Sequence, residues 1–125
     1  MPQCWEPGNR WALEQAKHNL ANKYFLVGLT DELESFIEIL EATLPSFFRG
    51  ASKMFRESDR SQHIRKTKFK EEPSPETVAK MEDSKVWRLE NEFYEFAHAH
   101  FSWVKAEFEQ SGGSRMFHYE KIRPR

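Results

Sequence analysis

Tyr24-Phe25-Leu26-Val27-Gly28 is the stretch on which the fold turns. It is a short, unbroken run of aromatic and branched apolar residues. Such a run, with no polar alternation, predicts a strand buried on both faces, as in a parallel sheet. Upstream, Trp11, Leu13, Ala16 and Leu20 recur at helical spacing and predict a helix over 10–23, with Asn9 at its N-cap. Downstream, Thr30 reads as an N-cap followed by Asp31 and Glu32 in the first turn, where carboxylates suit the helix dipole. Leu33, Phe36, Ile37, Leu40 and Leu44 mark one face of that second helix, which Pro45 stops. Helix, strand and helix make the chain α/β. One doubly apolar strand cannot satisfy its backbone groups alone. The expectation is therefore that the chain is the end of a larger α/β domain whose other strands lie upstream of Met1.

Beyond Pro45 the pattern is helical and loop-like. Residues 51–72 have weak periodicity and read mostly as loop, with a short helical turn near Met54. Ser74-Pro75-Glu76-Thr77 is a helix start, Ser at N-cap and Pro at N1, for a short helix to about Glu82. Asp83 or Ser84 then caps a longer helix from Lys85 to about Gln110. Its face is Leu89, Phe93, Phe96, Ala97, His100, Phe101, Val104 and Phe108, and Gly112-Gly113 ends it. Residues 116–122 read as a short C-terminal strand or arm.

The chain has 125 residues, 14% of them aromatic, and a mean hydropathy of -0.81. That aromatic content is too high for a disordered chain, and no run approaches the ~20 apolar residues of a membrane span. A single cysteine, Cys4, excludes an internal disulfide, and no targeting signal opens the chain. The net charge of -1 gives no global field for nucleic acid. Its distribution is uneven. Residues 49–70 hold eight basic and two acidic side chains, a net of +6, between a stretch of net -4 and one of net -3. On charge pattern alone a solvated loop is the simplest account of this island. Binding of a polyanion is the other, because Arg and Lys pair with sulfate, phosphate and carboxylate. His98 and His100, two apart on a helix, do not share a face and make a poor metal pair.

Several blocks carry a family resemblance. They are Cys4-Trp5, Gly8-Asn9-Arg10-Trp11-Ala12-Leu13-Glu14-Gln15-Ala16-Lys17, Asn22 to Gly28, Glu32-Leu33-Glu34, Leu44 to Ala51, Ile64-Arg65-Lys66-Thr67, Glu90 to Ala97 and Tyr119 to Ile122. In this order, over nearly the whole chain, they resemble the heparan sulfate 2-O-sulfotransferases. The resemblance implies the C-terminal part of a single P-loop-like, nucleotide-dependent sulfotransferase domain over 1–125. That part is mostly helical, with one buried strand near 24–28. It implies a Golgi membrane enzyme facing the lumen. Such an enzyme moves a sulfo group from 3'-phosphoadenosine 5'-phosphosulfate to the 2-hydroxyl of a hexuronic acid in heparan sulfate, without a metal, and forms a trimer. The family's anchor helix, phosphosulfate loop and catalytic histidine are expected upstream of this stretch, as is the partner of Cys4 in a family disulfide. No catalytic residue is therefore expected here, and the chain alone is expected to be inactive.

By the same resemblance, Phe55, Ser61, Thr67 and Lys70 match positions that contact the cofactor, Phe55 by packing on the adenosine. Arg65 and Lys121 match positions that contact the saccharide. Arg123 stands where the family tends to have Tyr, which exchanges a stacking contact for a charge. The alternative function is a non-catalytic polyanion-binding or regulatory fragment built on the basic island.

Overall fold

The computed structural model describes residues 5–58 and 69–112. Helix α1 spans Arg10–Asn22, and a 3-10 turn at Thr30–Glu32 leads into α2, Leu33–Thr43. Short helices α3, Pro45–Phe48, and α4, Ala51–Glu57, follow. After the undescribed residues 59–68 come α5, Pro75–Glu82, and the long α6, Lys85–Gln110. Local chemistry sets most of these boundaries. The Asn9 side chain accepts from the Ala12 N–H at 3.2 Å, Ser74 from Thr77 at 3.2 Å and Ser84 from Trp87 at 3.1 Å, each satisfying an otherwise orphaned donor. Pro75 at N1 has no N–H to lose. At the far end of α6, Gly112 takes φ 64°, a left-handed conformation that glycine adopts at no steric cost.

Helix α6 is the spine. It packs against α1 and α2, and α2 also packs against α3 and α4. The core gathers Leu20, Leu29, Ile39, Ala97, Phe101 and Val104, with Leu26, Val27, Phe36, Phe93 and Phe96 closing around it. The Phe36 and Phe101 rings meet at 6.5 Å and 60°, a tilted aromatic contact. The apolar face expected for α6 is the face that is buried.

Three expectations change. The strand expected over 24–28 is not formed. Tyr24–Gly28 is an irregular strap that bends at Phe25, and no strand occurs among the described residues. A ladder needs a second extended backbone in register. None is offered by the described residues, and Phe25–Gly28 make no backbone hydrogen bond among them. Tyr24 is 60% exposed, while Leu26 and Val27 still turn toward the core. The second change is at α2. Thr30 opens a 3-10 turn rather than capping an α-helix, and the most buried positions are Ile39 and Thr43 rather than the anticipated stripe, with Leu33 left exposed. Thr43 tolerates burial because its hydroxyl donates to the Ile39 carbonyl at 2.7 Å. The third is α4, a helix of seven residues where mostly loop with a single turn was expected. The expected arm over 116–122 lies outside the described residues.

Candidate polyanion-binding face

Helix α4, Ala51–Glu57, lies within the basic island. Local sequence gives it no N-cap of its own. Glu41 of α2 supplies one, its carboxylate accepting from the Gly50 and Ser52 N–H groups, each at 2.9 Å. The Ser52 hydroxyl, those two N–H groups and the nearby Arg56 charge hold the Glu41 carboxyl at about 2, well below the usual range. This carboxylate fixes α4 to α2.

The basic side chains on this segment divide into two kinds. Arg56 is bound within the fold, its guanidinium donating to Glu34 at 3.0 Å and Glu38 at 2.8 Å. Those hydrogen bonds raise its pKa above the ordinary value. Lys53 faces Glu57 at 4.0 Å, one turn along the helix. Arg49, exposed between α3 and α4, makes no ion pair with a described residue. Part of the island's charge is therefore neutralised in place, and a ligand would meet only the remainder.

Of the six residues matched to ligand-contacting positions, two are described. Phe55 lies half-buried on α4, and Lys70 lies exposed ahead of α5. They flank the gap at 59–68. Ser61, Arg65 and Thr67 fall within that gap, and Lys121 lies beyond Gly112, so these four are outside the described residues. Among the described residues no group of three or more His, Cys, Asp or Glu could hold a metal ion. His98 is 52% exposed while His100 is buried beside Trp103, so the two imidazoles diverge.

Two open grooves flank α1 and α6. One, of about 530 Å³, is lined by Leu20, Tyr24, Leu26, Val27 and Phe93. The other, of about 610 Å³, is lined by Trp5, Pro7, Val86, Leu89 and Phe93, with Glu6 and Glu90 at its edge. Their apolar and acidic linings do not suit a sulfated or phosphorylated ligand, which needs cationic donors. Neither groove is legible in the sequence, because each depends on how the N-terminal turn and the strap lie against α6.

No family model matches the chain. Three curated relatives illustrate the similarity found over nearly its whole length. Heparan sulfate 2-O-sulfotransferase 1 of Gallus gallus is 53% identical over 129 residues, covering 98% of this chain and 36% of the relative. The protein of that name from Homo sapiens is 50% identical with the same coverage. Heparin sulfate O-sulfotransferase of Drosophila melanogaster is 43% identical over 125 residues, again covering 98% and 36%. The relatives are sulfotransferases by name. Within that class, this chain is homologous to a portion of the heparan sulfate 2-O-sulfotransferases. It spans about a third of their length.

Proposed function

We propose that this chain is the accessory ligand-binding part of a heparan sulfate 2-O-sulfotransferase. The observation that carries this reading is the 50 to 53% identity to such proteins across 98% of the chain. In this reading the chain belongs to an α/β domain of the nucleotide-dependent sulfotransferase type, in the Golgi lumen. The strap at Tyr24–Gly28 pairs there as a strand with a partner outside the described residues. Its apolar side chains and its lack of backbone hydrogen bonds among the described residues support that pairing.

The donor is 3'-phosphoadenosine 5'-phosphosulfate. In the transfer, the 2-hydroxyl oxygen of a hexuronic acid attacks sulfur, and the bond from sulfur to the phosphate oxygen breaks. The hydroxyl proton goes to a base outside this chain. Phe55, Ser61, Thr67 and Lys70 hold the nucleotide, and Arg65 and Lys121 hold the saccharide. The net +6 of residues 49–70 supports the ligand-binding role, since both the nucleotide and the polysaccharide are anionic. The same charge favours a second reading, a polyanion-binding fragment that takes no part in catalysis.

Steady-state kinetics on the full-length sulfotransferase carrying this segment tests the proposal, with donor and acceptor varied separately. A hydroxyl bonded to a charged phosphate contributes about 1.5–3 kcal/mol. Thr67→Ala is therefore expected to weaken donor binding by roughly 10- to 100-fold and leave acceptor binding nearly unchanged. Arg65→Ala and Lys121→Ala are expected to do the reverse. Unchanged kinetics in all three variants, with heparin binding intact, would favour the non-catalytic reading.

A further inference from the structure

Phe55 sits on α4 between two braces, both anchored in α2. At the start of α4, Glu41 accepts from the Gly50 N–H through Oε1 and from the Ser52 N–H through Oε2, each at 2.9 Å. Near its end, Arg56 donates to Glu34 at 3.0 Å and to Glu38 at 2.8 Å. Glu34, Glu38 and Glu41 follow one another at helical spacing, so a single face of α2 carries all three carboxylates. The last turn of α4 closes on Phe55 itself, whose carbonyl accepts from the Ser58 hydroxyl at 2.9 Å.

The two braces are unequal. Arg56 and its partners are about half-exposed, and ion pairs in that setting hold little. Glu41 instead satisfies N–H groups at the start of a helix that has no side-chain cap of its own. Seven residues are too few for a helix to persist on propensity alone, so α4 depends on α2 for its place. Phe55 shares the partly buried face of α4 with Ala51, Ser52 and Ser58. Its ring is therefore held in part by the fold and accessible in part to a ligand. Both Glu41 oxygens are committed to N–H donors, and a carboxylate repels phosphate, so Glu41 acts through α4 and not by touching an anionic ligand.

We infer that Glu41 is a positioning residue for the sulfo donor: by fixing the first turn of α4 to α2, it holds the Phe55 ring in the pose that packs on the adenosine. This rests on the role given to Phe55 under the proposed function. A ring already held in place loses less freedom when the nucleotide arrives, and that difference appears as affinity.

Calorimetric titration of the full-length sulfotransferase carrying this segment with adenosine 3',5'-bisphosphate tests the inference, alongside KM for the saccharide acceptor. Phe55→Ala is expected to weaken the nucleotide by roughly 5- to 100-fold, the worth of one base–aromatic stack. Glu41→Ala is expected to weaken it by roughly 3- to 10-fold, with acceptor KM nearly unchanged. Glu41→Gln keeps one acceptor oxygen and should recover part of that loss. The double variant Glu41→Ala with Phe55→Ala is expected to bind no more weakly than Phe55→Ala, because both changes act through one ring. Ser84→Ala removes a cap from a different helix, α6, and is expected to lower Tm without weakening the nucleotide. An equal loss of affinity in Ser84→Ala would overturn the inference and leave the proposed function standing. So would unchanged affinity in Glu41→Ala, or a Glu41→Ala loss that adds in full to that of Phe55→Ala. Unchanged affinity in Phe55→Ala would overturn the donor role of Phe55 and the inference with it.

Discussion

Glu92 joins α1 to α6 through three hydrogen bonds. Arg10 donates to it in bidentate fashion, both contacts at 2.9 Å, and Lys17 adds a third at 2.7 Å. Those bonds, Arg10 first, hold the Glu92 carboxyl at about 2. Its pKa is depressed on folding, so its contribution is present above the ordinary value of 4.5 and is lost as pH falls through about 2. Glu41 behaves in the same sense. Acid titration followed by circular dichroism is expected to show the parent chain losing stability below pH 4.5, and Glu92→Gln showing a shallower loss from a lower starting point. Buried apolar residues respond by another mechanism. Phe101 is 0% exposed, and Phe101→Ala should cost about 3–5 kcal/mol in a denaturant melt through the cavity it leaves. Phe47 is 78% exposed, and Phe47→Ala should fall within about 0.5 kcal/mol of the parent.

At the scale of elements, the helix starts legible in the sequence are those whose caps lie within three residues. Asn9, Ser74 and Ser84 each bond an N–H three positions on, a pattern that local sequence displays. Ser84→Ala is expected to cost about 1 kcal/mol and Ser84→Gly only a few tenths, read from thermal melts. Of helix α4 only a turn near Met54 was legible, because its cap, Glu41, comes from nine and eleven residues away on another helix. The strap departs from the expected strand among the described residues for a related reason. Apolar residues announce burial, but a strand also requires a neighbour, and periodicity carries no information about that neighbour. Gly28 is tied to this arrangement, since a Cβ there would sit 2.5 Å from Phe36 Cγ and 2.9 Å from its Cβ. Gly28→Ala is expected to displace the Phe36 ring from Phe101, lowering Tm and shifting the aromatic resonances of both rings.

For the whole molecule, the division of the basic island is the point with most bearing on binding. Arg56 is held by Glu34 and Glu38, so Arg56→Ala is expected to lower Tm while leaving the salt concentration of elution from heparin nearly unchanged. Arg65→Ala, under the proposed function, is expected to lower that elution salt, because it removes a charge available to the polyanion. The reverse pattern would show that the island binds through α4 itself. The candidate site was legible only in outline. The net +6 and the residues carrying the family resemblance stand in the sequence, but which cations are already neutralised does not.

The sequence by itself determined the helices α1, α5 and α6, their local caps, the buried face of α6 and the location of the basic charge. All of these follow from interactions spanning at most about four residues, or from composition. Only the tertiary structure decided that Tyr24–Gly28 lies as a strap, that Glu41 starts α4, that Ile39 and Thr43 are buried deepest on α2, and that Arg56 is a cross-link between helices. Each of these depends on a partner many residues away, and local patterning does not encode which distant groups will meet.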